Sequence, residues 1–305
     1  MKRVFVLLLG FTLLGFNENV SAQNDSHQAE LSKFTVGLKT GYFTNDFKWS
    51  IAGNSQGTSP NILSEVVWKD LSGYSIGLNS NIKLWKNLSL SAEISSSSII
   101  SGKATDTDYQ ENDRTSPGYY AVLSSNRGRL SDININLGYT VNVKTLLVAP
   151  YLGFVTNHQK LHLLPNAENI NQTSGLNSTY NTIWKGVEAG SRFSLPVFSK
   201  IFVEADLSYG QLKYTAEANW NLIESFVHPL SFKHVANGYS LRSQINLKYL
   251  LSRHLSASLS AGSYKVITGK GIDELFYEDG SSAKTQFNGA SLQSTSIFFK
   301  TDYAF

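Results

Sequence analysis

The sequence predicts an all-β chain, folded as a single antiparallel β-barrel of about ten strands that crosses a membrane. Three observations lead there. Apolar and polar residues alternate with period two, in stretches longer than soluble strands usually run. Short tight connections alternate with long polar ones, the asymmetry of a barrel with one plain end and one elaborated end. The chain finishes on an alternating strand whose last residue is aromatic, Phe305.

Composition agrees and removes several function classes. Of 305 residues, 41% are hydrophobic and 12% aromatic, while only 16% are charged, well below the roughly 25% of soluble domains. Past the N-terminus no apolar run approaches the ~18 residues of a membrane helix, so any crossing is made by strands. Aromatic and β-branched residues spread along the whole chain exclude disorder. With 0 cysteines there are no disulfides, thiol nucleophiles or thiolate metal sites. A net charge of +3 is too weak to argue for nucleic acid. No cofactor or metal is expected: His158 and His162 are four apart, which on a strand is ~13 Å and too far for one ion. Gly269-Lys270-Gly271 lacks the fuller glycine pattern of a phosphate loop.

The N-terminus reads as an export signal. Lys2 and Arg3 precede the apolar run Val4 to Phe16, and Val20-Ser21-Ala22 supplies small residues at a cleavage site. The expected organisation is a signal peptide over 1–22, a polar lead-in over 23–32 and the barrel over 33–305. The expected destination is the bacterial outer membrane.

Taken in order, the predicted strands cover about 33–47, 61–85, 88–102, 128–142, 145–162, 179–195, 200–216, 237–251, 255–269 and 289–305. The fourth shows the pattern: Ile133, Ile135, Leu137, Tyr139 and Val141 alternate with Asn134, Asn136, Gly138 and Thr140. In the seventh, Ile201, Val203, Ala205, Leu207 and Tyr209 alternate with a set that includes Glu204 and Asp206. One face of each strand is therefore apolar and the other wet. Short connections fall near 86–87, 142–144, 196–199 and 252–254, and long ones over 48–60, 103–127, 163–178, 217–236 and 270–288. An even strand number puts both termini on the periplasmic side. Closure is compulsory, because an open edge would leave backbone groups unsatisfied in lipid. Ten strands make a narrow lumen, so inward Glu93, Glu188, Arg192, Glu204, Asp206, Arg242 and Lys248 read as a paired polar core.

At the C-terminus, Ile297, Phe299, Tyr303 and Phe305 share one face. Chains ending this way resemble the targets of the bacterial barrel-assembly machinery. Expected partners are that machinery, outer-membrane lipid and, outside, lipopolysaccharide.

The strongest chemical signal in the loops is Asp106-Thr107-Asp108-Tyr109, followed by Glu111, Asp113 and Arg114. Two carboxylates two residues apart at a strand end can face one side. Such a pair can share a proton, activate a water or hold a cation. The alternative is a solvated loop in which they turn the chain and pair with Arg114 or Arg127. Tyr109, Arg114, Tyr119, Tyr120 and Trp220, with Phe276 and Tyr277, can form a binding surface or sit in an interfacial belt.

The run from Ser59-Pro60 through Ser64-Glu65-Val66-Val67-Trp68-Lys69-Asp70 resembles the second strand of omptins, ten-stranded outer-membrane endopeptidases. Asp106-x-Asp108-Tyr109 is similar to the omptin catalytic aspartate pair, and Pro117-Gly118 and Asp132 also fit. The second half matches in strand count and loop rhythm. The resemblance implies an omptin-like barrel, with Asp106 and Asp108 as its acid pair. Omptins place an Asp-x-His pair across the cleft in the fourth outer loop. Here that region reads Tyr214-Thr215-Ala216-Glu217-Ala218-Asn219-Trp220-Asn221. His228 and His234 come later without an Asp two residues before, and Glu224 could orient His228 only in a helical turn. The acid pair without its partner is more similar to Protochlamydia-type outer membrane proteins, a resemblance that implies a barrel and no established activity.

Two functions follow. One is an outer-membrane barrel without catalysis, whose outer loops bind a ligand or face the medium. The other is an omptin-like endopeptidase with a rearranged site built on Asp106, Asp108 and His228. A small channel is a third, opposed by the charges expected in the lumen.

Overall fold

A computed structural model describes residues 33–166 and 174–305. The expected signal peptide and lead-in, and part of the 163–178 connection, lie outside these residues.

Ten long strands form the wall. They are β1 (Phe34–Ile51), β2 (Ser64–Trp85), β3 (Leu88–Tyr109), β5 (Gly128–Tyr139), β7 (Leu146–Leu163), β8 (Ser178–Phe198), β9 (Ile201–Asn219), β10 (Phe232–Leu250), β11 (Leu255–Thr268) and β13 (Ser282–Ala304). Three short strands, β4 (Pro117–Ser124), β6 (Val141–Val143) and β12 (Gly271–Phe276), extend it. Each long strand pairs antiparallel with its neighbours, and β1 closes on β13 from Thr35↔Ala304 to Ile51↔Phe287. No sheet edge is left open around the wall, as lipid requires.

The lipid-facing surface is bounded by aromatic rings. Near the short turns lie exposed Trp85, Tyr139, Phe198, Tyr249 and Tyr303, and toward the long connections lie exposed Tyr42, Tyr74, Tyr209 and Tyr239. Tyr42 packs on Tyr74 and Tyr209 on Tyr239, with ring centroids 5.7 and 6.1 Å apart. Between the rings, Ile76, Leu78, Ile135, Leu137, Leu241, Leu247 and Ile297 point outward. The ten residues between Tyr74 and Trp85 in β2 match the about 9–11 residues a tilted strand needs to cross a bilayer. Several strands are far longer: β2 and β3 have 22 residues and β13 has 23. The surplus stands beyond the membrane on the side of the long connections, and any site there is built on wall strands.

Inside, the two halves differ. Toward the short turns the lumen is polar, and five of the seven expected charges, Glu93, Arg192, Glu204, Asp206 and Lys248, stand in ion pairs, whereas Glu188 takes a hydrogen bond from the Ser208 hydroxyl at 3.4 Å and Arg242 packs on a ring. Lys39 meets Glu93, Arg192 Nε lies 3.0 Å from Asp206, Lys248 Nζ 3.6 Å from Glu204 and Lys300 Nζ 3.2 Å from Asp302. Tyr151 donates to Asp206 at 2.7 Å, and the Arg242 guanidinium lies over the Tyr264 ring at 4.7 Å. Toward the long connections the filling becomes aromatic: Phe47, Trp68, Tyr180, Trp184, Tyr214 and Phe287 are fully buried together. Burying such rings contributes the largest apolar term available to a single side chain.

Two expected loops are wall. The connection predicted over 103–127 is an extension of β3 to Tyr109, answered by β4, which pairs with it from Lys103↔Ser124 outward. β3 therefore exchanges its partner β5, paired up to Ile99↔Gly128, for β4. Gly102, at φ +155, makes the change, because a Cβ there would meet the Ser125 carbonyl at 2.8 Å and Leu71 Cδ2 at 2.5 Å. The connection predicted over 270–288 contains β12, which pairs with β10 and β13 just as β11 does lower down. It continues the ninth wall strand after a break at Gly269-Lys270. Sequence reasoning ended both strands early because their outer halves carry polar residues on both faces. Out of the membrane, neither face must be apolar.

Candidate functional site

The outer ends of the strands enclose a cleft of about 500 Å³. Its floor and walls are apolar: Trp49 and Ile51 from β1, Leu123 from β4, Leu163 from β7 and Phe232 from β10. Leu222, Ile223 and Phe226, from the connection between β9 and β10, lean over it, and Trp220 closes the side. Trp220 packs on Phe232 at 4.8 Å and on Trp49 at 6.1 Å between ring centroids.

Into this apolar wall β3 projects Asp106 and Asp108. Their spacing of two puts both on the inner face of the strand, as the sequence predicts. Asp106 is only 8% exposed, and Asp108 stands nearer the mouth. Both lie well outside the aromatic rings that bound the membrane: Asp106 pairs with Val66, outward of Tyr74 on β2. Burial pushes the Asp106 carboxyl up to about 7, and the neighbouring Asp108 charge adds to the rise. Hydrogen bonding to the Trp220 side chain and the Thr107 backbone pulls the other way. Asp108 is also raised by burial, against a hydrogen bond with Ser64. Tyr119 of β4 lines the same cleft, its phenol raised by burial and by both carboxylates.

The remaining candidates divide. Arg114 leaves the acid pair alone: its Nε and Nη2 donate to Glu65 at 3.0 and 2.6 Å. That ion pair fastens the β3–β4 hairpin tip to β2, and Asn61, in the connection just before that strand, also exchanges hydrogen bonds with Asp113 at 2.8 Å each way. Tyr109 is half-buried, with its backbone N–H donating to Leu63 O at 2.7 Å, and Tyr120 is exposed. His228 is not among the lining residues; it is exposed, with Nδ1 2.7 Å from Asn219 Oδ1, and Glu224 is exposed too. On β9, where an omptin-type Asp-x-His would be sought, the buried inward positions are Ala216 and Ala218.

A second polar group was not legible in the sequence. His234 of β10 and Asp273 of β12 are register partners, both fully buried, with Nε2 3.0 Å from Oδ1. Asp273 also lines the cleft. The Tyr180 hydroxyl lies 2.6 Å from His234 Nδ1 and 2.7 Å from the Tyr214 hydroxyl, and the Thr285 hydroxyl donates to Asp273 Oδ2 at 2.8 Å. Burial holds the His234 imidazole below its ordinary value, against the pull of Asp273. The available signal was the inward period of β10, which sets His234 between Phe232 and Ala236. Among the described residues no group of three His, Cys, Asp or Glu side chains is placed to hold a metal.

A closed antiparallel barrel with lipid-facing aromatic rings and a recessed outer cleft defines a transmembrane barrel of the bacterial outer membrane. The chain belongs to the Protochlamydia outer membrane protein family, whose model matches residues 37–305. Among solved structures, the outer membrane protease OmpT from Escherichia coli is similar in fold. It superposes with a TM-score of 0.69 at 12% identity, covering 89% of this chain and 96% of that one. The translocator domain of the autotransporter NalP from Neisseria meningitidis (TM-score 0.40, 11% identity, 93% of each chain) and OprG from Pseudomonas aeruginosa (0.37, 9%, 90% of this chain and 97% of that one) are more distant. No curated protein matches the chain. The OmpT likeness supports the omptin-like barrel in fold alone.

Proposed function

We propose that this outer-membrane barrel is a ligand-binding protein, which holds a small, largely apolar molecule in its outer cleft. The cleft itself carries the reading. Its volume falls within the ~300–1,000 Å³ of small-molecule sites, and it has their composition: an apolar lining with a few convergent polar groups. The long wall strands support it, and the buried aromatic layer beneath gives it a floor. Phe299, Tyr303 and Phe305, all exposed on the lipid face, are the residues we assign to recognition by the assembly machinery.

Trp49 and Trp220 line the cleft, so occupancy is readable as a change in tryptophan emission. Purified protein in detergent, titrated with 3-phenylpropanol, should give a saturable change that Ile223→Trp, which fills the mouth, abolishes. A purely linear response, equal in both proteins, would be partition into the micelle and would end this reading.

The endopeptidase alternative draws on one observation, that Asp106 and Asp108 do face a common cleft. Among the described residues no histidine lines the cleft: Ala216 and Ala218 occupy the inward positions of β9, and His228 is turned to Asn219. Peptide cleavage by the refolded barrel that disappears in Asp106→Ala would revive it.

A further inference from the structure

The chemistry of the cleft wall narrows what can occupy it. Among the described residues three carboxylates line it, those of Asp106, Asp108 and Asp273, and no Lys, Arg or His does. Asp273 is fully buried, against the His234 imidazole and the Thr285 hydroxyl. The nearest arginine in sequence, Arg114, is held by Glu65 in a two-pronged contact. Asp106 and Asp108 therefore face an apolar space side by side, hydrogen-bonded to the Trp220 and Ser64 side chains, with no cationic side chain among the described residues lining that space. Unpaired carboxylates in such surroundings are costly, and a partner of opposite charge relieves both the desolvation and the repulsion.

The opposite walls are suited to such a partner. Trp49, Trp220 and Phe232 present clustered rings to the same space. Ring faces attract organic cations, most strongly where water is excluded.

We propose that the cleft selects a hydrophobic cation: a compact apolar molecule with one ammonium group, seated between Asp106 and Asp108 with its body against Trp49, Trp220 and Phe232. This rests on the ligand-binding reading and adds charge selectivity to it. A peptide is a poor fit, because its backbone would bring polar groups that this apolar lining cannot satisfy. An anion would meet two carboxylates.

Calorimetric titration of the full-length barrel in detergent at pH 8 separates the possibilities, using 3-phenylpropylamine, 3-phenylpropanol and 3-phenylpropanoate. The amine should bind about tenfold or more tighter than the alcohol, as expected for charge-assisted contacts, and the acid should not bind measurably. Asp106→Asn and Asp108→Asn, each checked as folded by heat-modifiable gel mobility, should bring the amine down toward the alcohol while leaving the alcohol unchanged. Ile223→Trp should weaken both. Equal affinities for amine and alcohol would overturn the selectivity and leave the cleft as a neutral apolar site. Failure of all three probes would overturn the ligand-binding reading as well, and tight binding of the acid would refute the proposal outright.

Discussion

His234 and Asp273 face each other across neighbouring strands, Nε2 to Oδ1 at 3.0 Å, both without solvent exposure. Around the imidazole stand Trp49, Tyr180, Phe232 and Phe287, with ring centroids between 4.3 and 5.7 Å away. The pair ties the β10–β12 seam to the aromatic filling, directly beneath the cleft. Removing one member strands the other in a dry site. His234→Ala should therefore destabilise the barrel by about 3–5 kcal/mol. Asp273→Asn, which keeps an acceptor for Thr285, should cost about 1–3 kcal/mol. The apolar double variant His234→Phe with Asp273→Leu should recover part of the loss. Midpoints of heat-modifiable gel mobility give the ranking, and a double variant worse than His234→Ala would contradict it.

The same imidazole makes stability depend on pH. Its folded value lies below the ordinary 6.5 because burial opposes the charged form. Between the two values the unfolded chain binds a proton that the folded chain does not. The contribution is thus complete above pH 6.5 and lost as pH falls below it. Because Asp106 titrates with the opposite sign in the same window, the quantity to read is the difference between two proteins: from pH 7 to pH 5 the urea midpoint of the wild type should fall relative to that of His234→Phe. An equal slope in both proteins would place its origin elsewhere.

Asp106 has the opposite sign. Its folded carboxyl is raised from 3.8 to about 7, with Asp108 beside it, Tyr119 facing it from β4 and Trp220 hydrogen-bonded to it. The folded state holds a proton that the unfolded chain releases, so the contribution is present at acid pH and lost as pH rises through about 7. Asp106→Asn should therefore stabilise the barrel at pH 8, by on the order of 4 kcal/mol, and change little at pH 4. No gain at pH 8 would mean that the carboxylate is already paired.

What the sequence made legible follows the bilayer. Within the membrane one face of each strand must be apolar, so Ile133 to Val141 and Ile201 to Tyr209 declare their period at once. The charges of the lumen were visible too, because Glu204 and Asp206 occupy the alternate positions. Their partners were not, since Lys248 and Arg192 reach them only through the pairings of β9 with β10 and β8. Beyond the upper aromatic ring the constraint lapses. There Lys103 to Asp108 and Gly271 to Glu274 look like loop while forming wall. Asp106 and Asp108 were still found, because a spacing of two is local. His234 and Asp273 were not, because only the register of β10 with β12 brings them together.

The filling of the barrel bears on transport. A charge crossing it would first have to part the ion pairs of Lys39 with Glu93 and Arg192 with Asp206. It would then meet the apolar layer of Trp184, Tyr214 and Phe287, where Trp184 and Tyr214 have ring centroids 4.2 Å apart and Tyr214 stacks on Phe287 at 5.7 Å. An apolar layer without room for a chain of waters is a barrier to ions in itself. The wild-type barrel in a planar bilayer should therefore carry no steady current over a moderate range of voltage. Loosening the polar layer alone, by Arg192→Ala, should leave it closed, because the aromatic layer still seals the upper lumen. Thinning that layer, by Trp184→Ala with Phe287→Ala, should admit water and raise ion leak above the wild type. Steady wild-type conductance would show that the aromatic layer is not a seal, and the barrel would then be a pore with a ligand cleft at its mouth.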